Sequence, residues 1–318
     1  MINTTRMSLH FKVSAGPSSS LITTPKLIFA SFLLIYFIIG LLVNALYLWV
    51  TTFRMKQNIN TAWLFHLIIS NLFFILLLPF LSVYVLMEPH WLFGMFLCKA
   101  LYFLLSVCLY ASVFLITSIS LNRYLLVYYP HWYIRRVRLY HISAVCFGLW
   151  GLAFLCSSPY LLVRVAKLKD NITVCYNDYS LSGKWENAGG QVKWGIFFFR
   201  ILVSFLLPAA VTTICHFKIL IKIKRVQRGS STKPYKVIYL FTTFFYACWT
   251  IHHIADAMSM ERGQLNDGVL RALRIVSACV FSSISPVFYL FITPEFQKEF
   301  GKCMRQFNNI ISSIAGLI

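Results

Sequence analysis

The sequence predicts an all-α membrane protein: a seven-transmembrane helix bundle with a short amphipathic eighth helix. Of the 318 residues, 59% are hydrophobic and only 12% are charged, whereas a soluble domain has about 25% charged residues. In water, such a chain would expose large apolar patches and aggregate. Seven apolar stretches are long enough to cross a bilayer core, which needs about 20 residues of helix. No alternating pattern typical of a β-barrel is visible, so helices are the form that satisfies the backbone in lipid.

The seven spans are predicted at residues 27–51, 62–86, 97–121, 142–163, 194–217, 235–258 and 269–292. This divides the chain into an extracellular disordered tail (1–26), a seven-transmembrane domain (27–292) and a cytoplasmic amphipathic helix with a short tail (293–318). The tail lacks the basic, apolar and small-residue order of a cleaved signal peptide. The first span is therefore expected to be an uncleaved signal anchor.

The orientation is predicted with the N-terminus outside the cell. In that orientation the inner segments hold 16 of the 29 Lys and Arg residues, as expected if cytoplasmic loops carry the positive excess. That excess is small, but the glycosylation triplets beginning at Asn3 and Asn171 both fall on the outer side. Of the nine cysteines, only Cys98 and Cys175 lie on this oxidising side, so we expect a disulfide between them.

Other classes of protein fit the sequence less well. The net charge of +20 invites a nucleic-acid interpretation, but the basic residues lie in short segments between apolar runs, which suits anionic lipid head groups. No cysteine pair has metal-ligand spacing, and no cofactor is expected. A transporter would tend to show internal repeats, and none is visible. No nucleophile–base motif indicates an enzyme.

Several local motifs follow one another in a characteristic order. They are Gly40-Leu41-Leu42-Val43-Asn44, Leu78-Pro79-Phe80, Trp91-Leu92-Phe93-Gly94 before Cys98, Asn122-Arg123-Tyr124, Trp150, Pro208, Cys248-Trp249 and Ser285-Pro286-Val287-Phe288-Tyr289. Together they resemble a rhodopsin-like (class A) G-protein-coupled receptor, over nearly the whole chain. Within that family the chain is most similar to the chemoattractant receptors of the formyl-peptide and anaphylatoxin type. The stretches 44–61 and 176–185 look closest to an orphan member of this group.

The resemblance implies a ligand site in the outer half of the bundle. Arg200 lies about two turns before Pro208, where such receptors place an arginine that binds an anionic part of a peptide, since a guanidinium can hold a carboxylate by two parallel bonds. The alternative is that Arg200 snorkels toward lipid head groups. Asp256 could take a ligand amine, or neutralise Arg200 or Arg271. His252, Arg271 and Ser106 complete the set of expected ligand contacts.

The resemblance also places the activation machinery at the inner end of the bundle. Its expected residues are Asn122, Arg123, Tyr124, Trp249, Pro286 and Tyr289. Asn122 stands where the family has aspartate, so an amide replaces the carboxylate that neighbours this arginine, Arg123, in the family, which suggests a looser restraint. Asn71, Ser285 and His216 also depart from the family pattern.

Ile251 stands where the sixth helix of the family carries proline. Without proline the helix keeps a backbone hydrogen bond and has no kink, which suggests a hampered outward swing. Cys303, near the inner membrane face, is a weak palmitoylation candidate.

These features predict a plasma-membrane receptor for an extracellular peptide or small protein ligand, coupled to a heterotrimeric G protein of the inhibitory type. Arrestin is a second candidate partner inside the cell. The alternative is a decoy or scavenger receptor of the same fold, which binds its ligand without activating a G protein. No metal site is expected, because the paired histidines His252 and His253 are adjacent and point apart on a helix.

Overall fold

A computed structural model describes residues 23–181, 183, 188–226, 233–262, 268–292 and 294–315. For residues 226, 233–239, 241, 261–262, 284–292, 294–296, 303, 307–308, 310–311 and 313–315 it describes the backbone only. The predicted glycosylation residue Asn3 therefore lies outside the described residues. The side chains of Pro286, Tyr289 and Cys303 lie outside them as well.

The described residues form helices connected by short segments, with one two-stranded hairpin. The helices are α1 (Thr24–Trp49), α2 (Ile59–Leu76), α3 (Leu78–Met87), α4 (Gly94–Tyr128), α5 (Pro130–Arg136), α6 (Leu139–Ser157), α7 (Pro159–Val163), α8 (Gly189–Ile201), α9 (Leu207–Val226), α10 (Lys233–Arg262), α11 (Gly268–Ile292) and α12 (Pro294–Ala315). Strands β1 (Arg164–Lys169) and β2 (Ile172–Asn177) stand between α7 and α8.

Five helical segments within the described residues are long and apolar enough to cross a membrane. They cover Thr24–Arg54, Ile59–Met87, Gly94–Tyr128, Leu139–Val163 and Gly189–Arg225, and they coincide with the first five predicted spans. Helices α10 and α11, of 30 and 25 residues, lie where the sixth and seventh spans are predicted. Helix α4 is the most buried of the five segments, whereas α1 and α6 expose large apolar side chains, as helices at a lipid boundary do.

The interruptions within the second, fourth and fifth spans fall at or near prolines. Pro79 is in the first turn of α3 and Pro159 begins α7, positions at which the missing proline N–H costs no helical hydrogen bond. In the fifth span, a π-helical turn at Leu202–Leu206 separates α8 from α9. This turn ends two residues before Pro208, and π-turns of this kind are frequent at functional sites.

The interior of the bundle is apolar along most of its length. One cluster of buried side chains includes Leu67, Ile116, Phe245 and Phe281. A second cluster, nearer the hairpin, includes Trp91 and the disulfide cysteines. Helices from distant parts of the chain meet in both clusters, so the bundle is closed around a common core.

The hairpin covers one end of the bundle and is fixed there by a disulfide. Cys98 at the start of α4 is bonded to Cys175 in β2, which confirms the predicted pair. The strands pair antiparallel, with Ala166 opposite Cys175. We call this end of the bundle the disulfide end.

The turn between the strands has positive φ at Asp170 and Asn171, as a two-residue hairpin turn of the I′ type requires. Within the hairpin, Lys167 donates to Asp178 at 2.9 Å. This hydrogen bond raises the pKa of the Lys167 ammonium above its usual value.

Helix α12 packs against the end of the bundle opposite the disulfide end. Phe300 packs against the ring of Tyr47 with 5.4 Å between centroids, and Arg54 donates to Gln306 at 3.3 Å. The helix is therefore attached to the end of the first span. That it lies on a membrane surface as an amphipathic eighth helix stays a prediction.

Candidate ligand-binding site

A wide cavity opens at the disulfide end and encloses about 1480 Å³ of space free of protein atoms, including the part open to solvent. Its wall is formed by residues from α3, α4, α7, both strands, α8, α10 and α11. All five residues expected to bind ligand line it: Arg200, Asp256, His252, Arg271 and Ser106. Residues far apart in sequence, on four separate helices, thus share one chamber.

Arg200 points into the bundle, so the alternative that it snorkels toward lipid is not what the structure shows. Its side chain is only 14% exposed and pairs with Asp256 on α10. It also donates from Nη1 to the Tyr160 hydroxyl at 2.5 Å. Arg200 stands just before the π-helical turn, and its carbonyl accepts from the Ser204 hydroxyl at 2.8 Å.

Asp256 pairs with two arginines at once. One carboxylate oxygen contacts Arg200, and the other accepts from Arg274 Nη1 on α11 at 2.8 Å. The carboxylate is 4% exposed. Of the sequence alternatives for Asp256, neutralising Arg200 matches the structure and neutralising Arg271 is wrong, because Arg274 takes that place. Arg271 and Arg274 are neighbours on one face of α11, but Arg271 pairs with Glu88 beyond α3, and Arg274 reaches Asp256 on α10.

Arg271 has a different partner, which the sequence alone did not indicate. Its Nη2 lies 2.5 Å from Oε1 of Glu88, the residue that follows α3. The guanidinium also lies 5.4 Å from the centre of the Tyr84 ring, within the range of a cation–π contact. Glu88 was missed because it follows an apolar run and looks like an ordinary loop residue in sequence.

Arg164 is a further cavity residue that sequence reasoning missed. It begins β1, lies 3.4 Å from the centre of the Tyr102 ring and donates to the Cys175 carbonyl at 3.4 Å. No carboxylate within the described residues pairs with it. A cavity position could have been suspected from its place one residue after α7, in the segment that the disulfide draws over the bundle.

The deeper part of the cavity has polar side chains in its wall and aromatic side chains at its floor. Ser106 accepts from the Ser157 hydroxyl at 3.2 Å. His252 contacts the Arg274 carbonyl and His253 contacts the Ser204 hydroxyl, each at 3.2 Å. The two histidines thus reach α11 and the π-helical turn respectively, as adjacent residues on a helix should.

Trp249 lies beneath them at the floor. It is nearly fully buried and its ring contacts Phe245, Phe281 and both histidines. It therefore connects the cavity to the apolar core below.

At the opposite end of the bundle, Asn122 is buried and accepts a hydrogen bond from the Tyr133 hydroxyl at 2.7 Å. The amide that replaces the family's aspartate is thus held by the short helix α5. Tyr124 stacks on Tyr128 with 4.7 Å between ring centres. Arg123 is partly buried beside them and has contacts of its own.

His216 connects three helices near this end. Its Nε2 lies 3.2 Å from the Ser120 hydroxyl on α4, and its Nδ1 lies 2.7 Å from the Thr242 hydroxyl on α10. The Ser120 hydroxyl donates to the Ile116 carbonyl at 3.0 Å. Since a hydroxyl has one proton to donate, Nε2 of His216 carries the hydrogen that Ser120 accepts.

Two other departures from the family pattern are visible in the described residues. Asn71 is buried, and the neighbouring Ser70 hydroxyl contacts Ser112 at 3.0 Å. Helix α10 runs through Ile251 without interruption, as expected for a sixth helix without its proline.

Comparison with known proteins defines the class of this chain. The family described as 7 transmembrane receptor (rhodopsin family) matches residues 43–293, and the chain belongs to it. It is a multi-pass receptor of the plasma membrane and not an enzyme. Membership implies an extracellular ligand and a G protein as partners.

Particular relatives narrow the class further. A Mus musculus protein named Probable G-protein coupled receptor 33 is 33% identical over 99% of this chain and 95% of its own length. Its Homo sapiens counterpart is 36% identical over 87% of this chain and 85% of its own length. Chemerin-like receptor 1 of Mus musculus is 32% identical over 87% of this chain and 78% of its own length. These relatives confirm the predicted place of the chain in the chemoattractant receptor group.

Proposed function

We propose that the receptor binds a peptide or small protein through an anionic group of that ligand, which enters the cavity at the disulfide end. The observation that carries this proposal is the charge of the cavity wall. Four arginines line it, at positions 164, 200, 271 and 274, against two acidic residues, Glu88 and Asp256. The surplus of guanidinium groups, several of them largely buried, favours an anion and disfavours a cationic ligand.

The chemistry of the wall suits a carboxylate in particular. Guanidinium groups bind carboxylates through two parallel hydrogen bonds. Nε of Arg164 and Nη1 of Arg271 have no hydrogen-bond partner within the described residues. Both atoms are closed to solvent, so a ligand carboxylate would reach them only after a shift of the neighbouring side chains. The membership of the chain in the chemoattractant receptor group supports a peptide or small protein as the ligand.

The proposal is tested by expressing the receptor at the cell surface and screening formylated and complement-derived peptides. Arg200→Ala should lower the affinity for a peptide that binds by about 10- to 100-fold, because a hydrogen bond to a charged group contributes about 1.5–3 kcal/mol. Lys99→Ala is the matched control, since Lys99 is a cation at the same end that donates to the Leu161 carbonyl and does not line the cavity. Equal responses of the natural protein and Arg200→Ala would remove Arg200 from the site.

We further propose that the opposite end couples to an inhibitory-type G protein. Arg123, the connection containing α5 and the basic segment 218–236 are the surfaces involved. The support is resemblance to the chemoattractant receptors, together with the position of Arg123 at the end of the bundle away from the cavity. Peptide-stimulated nucleotide exchange on a purified inhibitory-type G protein is the measurement. Exchange on another subtype alone would refute the inhibitory choice.

A decoy or scavenger receptor is the second candidate function. Two observations favour it: Asn122 is held by Tyr133, and α10 is continuous through Ile251. Both suggest an inner end that is built differently from the family pattern. A peptide that internalises the receptor, with or without arrestin, but causes no nucleotide exchange would support this function. If Ile251→Pro then brings no gain in agonist response, the continuous helix is not the reason why the receptor causes no nucleotide exchange.

The orientation of the chain follows from the same proposal. The disulfide end would face outward, with the N-terminus, Asn3 and Asn171 on that side. Asn171 is exposed in the hairpin turn, where a glycan would meet no packed neighbour. A loss of mass on glycosidase treatment that Asn171→Gln reduces would support this orientation, and an N-terminal epitope accessible only in permeabilised cells would refute it. Cys303 stays a candidate for palmitoylation, testable by thioester-specific labelling of Cys303→Ser.

A further inference from the structure

The Asp256 carboxylate fills the position that a ligand carboxylate would take between two arginines. Its two oxygens contact different guanidinium groups, Arg200 from α8 and Arg274 from α11. All three residues line the cavity. A single internal anion therefore bridges three helices inside the chamber proposed to bind an external one.

The arginine pair is prepared for an anion by its other contacts. The Tyr160 hydroxyl accepts from Arg200 Nη1, and the Ser204 hydroxyl bonds to the carbonyl of the same arginine. The bond to Tyr160 limits the positions that the guanidinium can take, and the bond to Ser204 fixes the backbone that carries it. The side chains of both arginines are more exposed than that of Asp256, so a ligand anion can reach the guanidinium groups from the cavity.

We infer that Asp256 is an internal counter-ion that the anionic group of the ligand must displace from Arg200 and Arg274. This inference rests on the proposed function, since it requires an anionic ligand in this cavity. Its consequence is selectivity. Small free carboxylates bind this site only weakly, because they must displace Asp256. A carboxylate on a larger ligand binds, because the other contacts of that ligand supply the free energy that displacement requires.

Displacement is favoured over simple addition by the geometry of the cluster. Both Asp256 oxygens are already engaged, and a second carboxylate on the same two guanidinium groups would lie close to the first. Two carboxylates that share a site repel each other strongly. Because Asp256 is tethered beside its partners, it also acts at a high effective concentration, at or above the millimolar range typical of short linkers.

The test uses benzoate as a probe anion and benzamide as its neutral control, on purified full-length receptor at constant ionic strength. Thermal unfolding is followed as each probe is titrated into the natural protein and into Asp256→Asn. We expect benzoate to stabilise Asp256→Asn with a half-maximal concentration at least about tenfold lower than for the natural protein, a difference of about 1.4 kcal/mol. Benzamide should stabilise neither protein.

A second variant keeps the test decisive if two unpaired arginines prevent folding. Asp256→Asn combined with Arg274→Gln leaves the cluster with one positive charge, as in the natural protein, and leaves Arg200 without its carboxylate. The same gain in benzoate sensitivity is expected from this double variant.

The remaining outcomes distinguish this inference from the proposed function. If benzoate stabilises the natural protein and the variants at similar concentrations, the cavity binds anions without displacing Asp256, which overturns the inference alone. If benzoate stabilises none of them, the arginine pair does not hold an external anion, and the inference fails together with the proposed anionic ligand.

Discussion

The ion pair between Glu88 and Arg271 should stabilise the disulfide end of the bundle by a measurable amount. It joins the end of α3 to α11, with 2.5 Å between the charged atoms and side chains only 17% and 12% exposed. Removing one partner of a buried pair costs about 3–5 kcal/mol, and we take about 2–3 kcal/mol because this pair borders an open cavity. At about 2–4 °C per kcal/mol, Glu88→Gln should lower the midpoint of thermal unfolding by roughly 5–10 °C.

A double-mutant cycle isolates the contribution of the pair. Glu88→Gln and Arg271→Gln should each destabilise the receptor, and the double variant should be less destabilised than the sum of the two. The control is Glu299→Gln, which breaks the pair of Glu299 with Lys302 on α12. Its lysine is about half exposed, so solvent screens the pair and the midpoint of thermal unfolding should stay close to that of the natural protein. Additive effects within about 0.5 kcal/mol for Glu88 and Arg271 would refute the reasoning.

Two further predictions concern the opposite end. Asn122→Asp should lower basal nucleotide exchange, because a carboxylate beside Arg123 would restrain the guanidinium. Two results would contradict the idea of a looser restraint: basal exchange of the natural protein equal to that of mock membranes, or no change of basal exchange in Asn122→Asp. His216→Phe keeps an aromatic ring but loses the contacts with Ser120 and Thr242, so the receptor without agonist should lose about 1–3 kcal/mol of stability and unfold at a lower temperature. If the melting temperature of His216→Phe equals that of the natural protein, these contacts do not hold α4, α9 and α10 together.

Much of the fold could be predicted because a bilayer imposes a simple rule on sequence. Each span must be a long apolar helix, so the first five spans were found within eight residues of their observed ends. The breaks within spans were not predicted. Proline at positions 79 and 159 marks them in retrospect, but a proline in a membrane helix is equally compatible with a kink. Only the packing of neighbouring helices decides between the two.

The candidate ligand-binding site could likewise be predicted only in part. Arg200 could be placed in the cavity from the resemblance and its spacing to Pro208, because both lie in the fifth span. The pairing of Asp256 with Arg274, and of Arg271 with Glu88, could not be predicted, because it depends on how three helices are rotated against one another. A sequence identifies charged residues that must be compensated inside a membrane, but it does not say which of several compensates which.

The π-helical turn at Leu202–Leu206 has a consequence for how this receptor is compared with its relatives. A π-turn carries one residue more than the α-helical turn it replaces, and each residue of an α-helix advances the side-chain direction by about 100°. In a relative whose fifth helix is regular throughout, the residue aligned with Arg200 by counting back from proline would face a different neighbour. Ligand contacts transferred by alignment from such a relative would be offset by one position above this turn, and equivalence would have to be assigned from the side-chain direction.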